Sequence, residues 1–357
     1  MTERKLEKLR SSVAAVHGDN SIMFANQVPI RPKVSSGSLA LDFACGGGFP
    51  TDRVIEVAGL ESSGKTSLAL MAMRNFLDAD PDRGALILDT EAKIDPVWME
   101  RLLGEERMEK VLLASPDHAE QATDIFTEMV GTGLISFVLY DSIGGAPTKK
   151  VTEKSAESAE YGGNAQAISR FARLASTYAH KYQTLVLGVN QVRADMEGFR
   201  RFRVAGGHAW LHACSLRIQL KRGQGKLHDK INGEEIQCGY QVTAKVIKNQ
   251  IGGVEGRQAW WWLANVPTEK YGFGVDVVDE IARLSVLTGV IEQRGAYYYH
   301  PSFPGGKIQS RDRMVQCVKD DEGLRVLLTS AVMDRVNSDG GKYLSEIAPV
   351  DADEDSQ

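Results

Sequence analysis

The sequence feature that most constrains the fold is the stretch from Gly59 to Thr66, which reads G-L-E-S-S-G-K-T. Its glycines let backbone N–H groups turn inward around phosphate oxygens, where larger side chains would collide. Lys65 places a cation near the β and γ phosphates, and the Thr66 hydroxyl can ligate Mg²⁺. An apolar strand-like run precedes the stretch and a helical run follows it. The motif and this context together predict a nucleotide-binding loop at a helix N-terminus.

Composition narrows the classes of protein to consider. The chain has 357 residues, 43% hydrophobic and 25% charged, which is ordinary for a globular protein of one large domain or two. Its net charge is −5, so any DNA contact must come from local basic patches. We find neither an apolar run of about 18 residues nor a signal peptide, and expect a cytoplasmic protein without a membrane partner. The four cysteines are expected to be reduced, small and at least partly buried.

Apolar strand-like runs alternate with helical segments through the first 190 residues, as in a mostly parallel sheet covered on both faces. Residues 34–58 alternate apolar and small side chains around a flexible Gly46–Gly48 turn. Ligands in such folds bind beyond the carboxyl ends of the strands. Glu91, Asp141 and Gln191 each lie at such a predicted end, so we expect them near the phosphate loop.

After Gly206 the pattern becomes that of antiparallel strands, with residues 215–221 and 240–247 linked by a hairpin that includes Asn232 and Gly233. A third strand over residues 258–263 contains three consecutive tryptophans. From about residue 275 the sequence predicts a small α/β module. Two further segments lie outside these elements: an amphipathic helix over residues 3–16 and an acidic, disordered tail.

Three candidate site residues each have an alternative role. Asp141 can hold magnesium or cap a following helix. Glu91 can orient and deprotonate the water that attacks the γ-phosphate, or lie on the surface without a function. Trp98 can stack on adenine or pack in the core.

A polar segment from Val192 to Gly207 contains four arginines, two phenylalanines and three glycines. Arginines neutralise DNA phosphates and phenylalanines stack on bases, so the composition favours nucleic-acid binding over a solvated loop without a ligand. Gln191, at the root of this segment, would sense the γ-phosphate. A second loop, residues 147–163, is weaker evidence for a binding role because charged loops are usually only solvated.

Further motifs occur in a fixed order along the chain: S-S-G-S-L-A-L-D at 35–42, D-T-E-A-x-x-D-P at 89–96, Y-D-S at 140–142, N-Q-V-R at 190–193 and V-I-K-N at 246–249. Together with the phosphate loop they resemble the RecA family of DNA recombinases from about residue 34 to 265, and more weakly to about 335. The resemblance implies a RecA-like α/β ATPase core over residues 34–265, extended by antiparallel strands. It also implies an N-terminal oligomerisation helix and linker (1–33), a small C-terminal α/β domain (266–336) and an acidic, self-inhibitory tail (337–357).

The resemblance further implies a DNA-dependent ATPase, with ATP and Mg²⁺ as cofactors, that forms helical filaments of its own copies on single-stranded DNA. Such a filament pairs with homologous double-stranded DNA and exchanges strands, aided by single-strand-binding and mediator proteins. The implied catalytic residues are Glu91, Lys65 and Gln191, and the implied magnesium residues are Thr66 and Asp141. The implied ATP-binding residues are Gly59, Glu61, Ser62, Ser63, Gly64, Lys65, Thr66, Ser67, Asp95, Trp98 and, reaching from a neighbouring subunit, Lys248. The implied DNA-binding residues are Tyr161, Gly162, Gly163, Arg173, Arg193, Phe199, Arg200, Arg201, Phe202, Arg203, Gly206, Gly207, Lys221, Arg222 and Lys245.

Several positions depart from the family pattern. Trp98 replaces a tyrosine, Tyr161 replaces a methionine, and Gln250 stands where the family has a second lysine that reaches the neighbour's ATP. These departures are compatible with a divergent, phage-encoded member of the family. Two alternatives share the same core: a non-catalytic ATP-binding mediator, which would not turn over ATP, and a hexameric helicase, which would form closed rings.

Overall fold

The structure is a computed structural model that describes residues 2–18, 22–149, 163–194, 202–204 and 206–338. The predicted DNA-binding residues Tyr161, Gly162 and Phe199–Arg201 lie outside these ranges, as does the tail from residue 339. Of Arg193, Phe202 and Arg203 only the backbone is described. The chain divides into two compact units, Met1–Pro32 and Lys33–Gln357.

The first unit contains helix α1 and a 3₁₀ turn, Ala25–Gln27. The helices are α1 Thr2–His17, α2 Leu39–Cys45, α3 Lys65–Ala79, α4 Pro96–Leu103, α5 Glu105–Met108, α6 Ala119–Gly131, α7 Gly163–Tyr182, α8 Gly207–Ala213, α9 Val277–Leu287, α10 Arg311–Asp320 and α11 Glu322–Ser338. The strands are β1 Lys33–Val34, β2 Phe49–Pro50, β3 Val54–Gly59, β4 Gly84–Asp89, β5 Val111–Ala114, β6 Ile135–Asp141, β7 Leu185–Ala194, β8 Phe202–Val204, β9 Leu216–Ile231, β10 Glu234–Asn249, β11 Gln258–Ala264, β12 Gly274–Val275, β13 Glu292–Arg294, β14 Tyr297–Tyr299 and β15 Lys307–Gln309.

The main sheet has the strand order β12-β11-β10-β9-β3-β7-β6-β4-β5, with β8 paired to β7. Strands β3, β7, β6, β4 and β5 are mutually parallel, and we call them the parallel half. Strand β9 joins β3 in parallel, and β10, β11 and β12 continue antiparallel; we call β9–β12 the antiparallel half. This arrangement confirms the predicted fold class, a mostly parallel sheet extended by antiparallel strands.

Two apolar cores cover the two faces of the parallel half. Ile55 and Val57 of β3 belong to one core, whereas Val54 belongs to the other, because successive strand side chains point to opposite faces. Helices α2, α3 and α9 contribute to the first core, and α6, α7 and α8 contribute to the second. The carboxyl ends of the parallel strands are thereby held in fixed positions beside the N-terminus of α3.

Two local features differ from the sequence prediction. Residues predicted only as an alternating stretch include helix α2, all seven of whose residues are buried, so the helix shows no polar face by which a pattern could identify it. Strand β7 does not end at Gln191 but continues to Ala194 and pairs with β8, with Arg193 opposite Arg203. The predicted arginine-rich segment, Val192–Gly207, therefore contains two paired strands, the end of β7 and β8.

All four cysteines are free thiols, and Cys45, Cys214 and Cys238 are buried, as predicted. In the described part of the chain, none of the helices combines the length and apolarity that a membrane crossing requires.

Candidate functional site

A pocket of about 160 Å³ lies between the phosphate loop and the carboxyl ends of β4, β6 and β7. Predicted site residues from four separate segments of the chain meet there. The residues that line the pocket are Glu61, Ser62, Lys65, Thr66, Asp89, Glu91, Lys93, Ile94, Asp141, Val189 and Gln191. The parallel sheet therefore brings the predicted phosphate, metal and hydrolytic residues into one space.

The phosphate loop is tightly folded around its own backbone. A Cβ atom at Gly59 would lie 2.6 Å from the carbonyl oxygen of Leu220, and Gly64 has a φ of 89°, so glycine suits both positions. Lys65 Nζ donates to the carbonyl oxygens of Gly59 (3.1 Å) and Leu60 (2.7 Å). Burial lowers the pKa of Lys65, and the carboxylates of Asp141, Glu61 and Glu91 oppose that shift. The lysine is thus held inside the loop, with its charge favoured by nearby acids.

Thr66 and Asp141 form the candidate metal site. The Thr66 hydroxyl donates to Asp141 Oδ2 at 2.7 Å, across the gap between α3 and β6. This contact differs from a helix cap, in which the carboxylate would accept from a backbone N–H. Burial raises the pKa of Asp141, and the hydrogen bond from Thr66 opposes the shift. Two hard oxygen ligands with room for phosphate and water suit Mg²⁺, which is commonly held by only one or two protein groups.

Glu91 lies at the centre of a hydrogen-bonded group beside this metal site. Its carboxylate accepts from Ser142 Oγ, from Lys93 Nζ at 2.6 Å and from Gln191 Nε2 at 3.1 Å. Burial alone would raise the pKa of Glu91, but the hydrogen bonds from Lys93 and Ser142 outweigh it and lower the pKa. The carboxylate is therefore ionised at neutral pH and available to orient a water molecule.

Gln191 connects this group to the arginine-rich segment. Its side chain contacts Glu91, while its backbone belongs to β7, which runs on into the hairpin with β8. A displacement of Gln191 would change a contact of Glu91 and the base of the hairpin at once. The structure thus places the predicted sensor residue between the pocket and the predicted DNA-binding segment.

The three predicted ATP-binding residues that are remote in sequence from the phosphate loop and its helix, Asp95, Trp98 and Lys248, lie outside the pocket lining. The exposed Asp95 caps α4 by accepting from the Trp98 backbone N–H at 2.9 Å. The half-buried Trp98 packs edge-on against Phe273, with ring centroids 4.7 Å apart. Lys248 Nζ donates to the carbonyl oxygens of Leu211 (3.2 Å) and His212 (3.3 Å) near the end of α8. Each of these side chains thus has a partner within the chain, so its contact with ATP remains a prediction.

The remaining predicted ATP-binding and DNA-binding residues lie on the phosphate loop, on α3, on α7 and at the start of α8. Ser63 Oγ donates to the Leu60 carbonyl oxygen at 2.8 Å, and Ser67 is buried in the first turn of α3. Arg173 is exposed on α7, the helix that begins at Gly163. Gly206 has a φ of 102° and precedes α8, which begins at Gly207. The positions of Arg173, Gly206 and Gly207 are compatible with DNA contact, which stays a prediction.

The predicted duplex-binding residues do not share one face. Lys221 is paired with Thr243 in the β9–β10 ladder, and Lys245 lies two residues along from Thr243, so both lysines project from the same face. Arg222 follows Lys221 and is paired with the buried Val242, on the opposite face. There its guanidinium lies over the Tyr240 ring, 4.0 Å from the centroid. The predicted set is therefore divided, because adjacent strand residues alternate in direction.

Sequence reasoning missed three residues that shape the pocket. Asp89 accepts from the backbone N–H groups of Glu91 (3.2 Å) and Ile94 (3.0 Å), and so holds the turn that carries the candidate hydrolytic carboxylate. Lys93 and Ser142 contact that carboxylate directly. Ser142 belongs to the quoted Y-D-S motif, which was a usable signal. Lys93 lies two residues from Glu91, but proximity in sequence does not by itself predict a contact.

Comparison with known proteins agrees with this geometry. The family model described as the RecA N-terminal domain matches residues 4–255. Protein RecA of Thermotoga maritima is 29% identical over 327 residues, which cover 88% of this chain and 87% of that protein. Protein RecA of Rhodopseudomonas palustris is 32% identical over 305 residues (84% and 81%), and that of Acinetobacter baylyi is 28% identical over 347 residues (94% and 93%). Because the family model matches most of this chain, the chain belongs to the RecA family.

Proposed function

We propose that this protein is a DNA recombinase that hydrolyses ATP when bound to single-stranded DNA and exchanges strands with homologous duplex DNA. Membership of the RecA family supports the role in recombination and repair. The observation that carries the finer proposal is the hydrogen bond between Gln191 and Glu91, because it joins the pocket to the arginine-rich segment. DNA bound to that segment would thereby influence the residue that orients the attacking water.

ATP would bind with its phosphates in the loop from Gly59 to Ser67. Lys65 now donates to two loop carbonyl oxygens, and it would exchange these bonds for the β and γ phosphate oxygens. Thr66 and Asp141 would hold Mg²⁺, directly or through water, and the ion would neutralise charge that develops on the phosphates. Trp98 and Asp95 would flank the adenine.

Hydrolysis would depend on Glu91 as the group that positions a water molecule. Its ionised carboxylate is held from three sides, by Ser142, Lys93 and Gln191. A fixed carboxylate beside the γ-phosphate position lowers the barrier chiefly by orientation and by accepting a proton. Gln191 would report the presence of the γ-phosphate to the hairpin beyond it.

The DNA partners would bind on the same side as the hairpin. Single-stranded DNA would contact the segment from Arg193 to Gly207, together with Arg173 and residues 161–163. Duplex DNA would contact Lys221 and Lys245, whereas Arg222 lies over the Tyr240 ring on the opposite face.

Helix α1 would bind a second copy of the chain in a filament, and Lys248 would reach the neighbour's ATP. The filament would work with single-strand-binding and mediator proteins. We propose a cytoplasmic location, in a bacterium or in the host of a phage that encodes the protein.

One paired experiment tests this proposal. ATP turnover is measured with magnesium, with and without single-stranded DNA, and the protein is imaged on that DNA with a non-hydrolysable ATP analogue. We expect turnover to rise at least about tenfold with DNA and helical filaments to form. Zero turnover with DNA present would favour the non-catalytic mediator, and closed rings with duplex unwinding would favour the helicase.

A further inference from the structure

A carboxylate outside the pocket lies at the centre of a second hydrogen-bonded group. Glu56 of β3 is 1% exposed, and its Oε1 accepts from Asn190 Nδ2 and from Trp210 Nε1, both at 2.9 Å. Its Oε2 accepts from Arg217 Nε at 2.7 Å. A buried charge is costly unless it is paired and hydrogen-bonded, and Glu56 meets both conditions. The group therefore needs all of its members in place.

The residues of this group lie at informative positions along the chain. Asn190 immediately precedes Gln191, and Trp210 lies in α8, just after the β7–β8 hairpin. The segment from residue 191 to 209, with all four of its arginines, therefore begins and ends next to residues that bind the same oxygen atom. Glu56 itself lies three residues before Gly59, on the strand that leads into the phosphate loop. One side chain thus ties both ends of the predicted DNA-binding segment to the strand that carries the nucleotide site.

Trp210 is held by more than its hydrogen bond. Its side chain is fully buried, and a Cβ atom at Gly188 of β7 would lie only 2.4 Å from the tryptophan Cζ2. The ring also stacks on Phe171 of α7, with centroids 6.2 Å apart and an interplanar angle of 28°. At the other end of α8, Lys248 donates to the last turn. These contacts hold helix α8 in place, and α8 thereby fixes the C-terminal end of residues 191–209.

We propose that Glu56 is a positioning residue that makes ATP hydrolysis respond to DNA. It does not line the pocket, so it acts through Asn190 and Trp210 and not on the reacting atoms. Because Asn190 and Trp210, which flank residues 191–209, both bind Glu56 of β3, a shift of the DNA-bound hairpin is passed to Gln191 and its contact with Glu91 and is not absorbed by movement of the flanking residues. This inference rests on the proposed DNA-dependent ATPase function.

The test compares the Glu56→Gln variant with the parent chain and with Glu128→Gln, an exposed change on α6. The glutamine keeps the size of the side chain, but its NH₂ group faces donors and its charge is lost. ATP turnover is measured with and without single-stranded DNA, along with the KM for ATP. We expect the ratio of the two rates to fall about tenfold, the size expected from losing a hydrogen bond to a charged group, with the DNA-free KM changed by less than about twofold.

A second variant, Trp210→Phe, removes one donor and keeps most of the aromatic packing. We expect it to lower the same ratio about threefold, and it decides the matter if Glu56→Gln does not fold. Folded variants that keep the parent ratio would overturn the inference. So would a fall in the ratio with an equal loss of ATP affinity without DNA, since that result indicates only a structural role. A parent chain that DNA does not stimulate would instead overturn the proposed function, and this inference with it.

Discussion

The two halves of the main sheet differ in how they place residues that are separated or adjacent in sequence. In the parallel half, Lys65, Glu91, Asp141 and Gln191 come from separate segments and meet in one pocket. In the antiparallel half, the neighbours Lys221 and Arg222 project from opposite faces. Parallel strands align their carboxyl ends at one edge, whereas a single strand alternates its side chains with every residue. Residues at the carboxyl ends of parallel strands can thus be predicted to lie together. Neighbouring residues on one strand cannot be predicted to share a face.

The largest effects are expected in the parallel half. Replacing Lys65 by Ala, or Glu91 by Gln, should lower the DNA-stimulated kcat for ATP by at least about a hundredfold, since each change removes a charge next to the transferred phosphate. Steady-state turnover measures the effect. Lys110→Ala and Glu128→Gln, both exposed and outside the pocket, are the matched controls. A kcat within about threefold of the parent in either site variant would show that the replaced residue does not act in ATP hydrolysis.

A smaller effect distinguishes the two faces of the antiparallel half. Changing Lys221 and Lys245 together to Gln should weaken duplex DNA binding and reduce its logarithmic salt slope by about 1.8, the value for two lost phosphate contacts. Arg222→Gln should leave that slope nearly unchanged, because its guanidinium lies over Tyr240 on the other face. Fluorescence anisotropy across a salt series measures both. Equal reductions of the salt slope in the two variants would show that duplex DNA binding does not distinguish the two faces of the antiparallel half.

A third effect, on stability, concerns the contact between α9, which follows the antiparallel half, and the start of α2. Glu280 of α9 is fully buried and accepts from Ser38 Oγ (2.6 Å) and from the backbone N–H groups of Leu39 (2.9 Å) and Ala40 (3.4 Å), at the start of α2. Burial raises the pKa of Glu280 from 4.5 to about 8, against the hydrogen bond from Ser38. The folded protein therefore keeps a proton that the unfolded chain releases, so this contribution to stability is full below about pH 4.5 and is lost as the pH rises toward about 8.

Glu280→Gln should remove that pH dependence. The parent should lose at most about 1.4 kcal/mol of unfolding free energy per pH unit from this group, and the variant should lose less over the same range. Part of the slope should remain, because burial also raises the pKa of Asp42, to about 6. Urea denaturation at several pH values measures the difference, with the exposed Glu322→Gln as control. Identical slopes in parent and variant would show that Glu280 titrates as it does in the unfolded chain.

Most of the fold was predictable because its patterns are local. The phosphate loop, the alternating strands and helices and the Asn232–Gly233 hairpin each have a sequence signature, and the sheet confirms them. Helix α2 could not be recognised because it is buried on every side and therefore has no amphipathic period. The extension of β7 to Ala194 depends on pairing with β8, a contact that no local pattern records.

The candidate site was predictable in its members but not in its contacts. Strand ends indicated Glu91, Asp141 and Gln191, yet nothing in the sequence shows that Gln191 donates to Glu91, 100 residues away. Likewise, Phe273 supplies a packing partner for Trp98 from a distant part of the chain. The three donors around Glu56 come from two further strands and a helix, so that group could be found only after the sheet order was known.

The proposed function depends most on Gln191, which would couple DNA binding to ATP hydrolysis across the parallel half. Its most direct test is ATP turnover by Gln191→Ala with and without single-stranded DNA, beside Gln219→Ala, a glutamine of β9 that does not line the pocket. We expect Gln191→Ala to lose the stimulation by DNA, so that the two rates agree within about twofold, while Gln219→Ala is stimulated like the parent. Full stimulation of Gln191→Ala by DNA would show that Gln191 does not couple DNA binding to ATP hydrolysis.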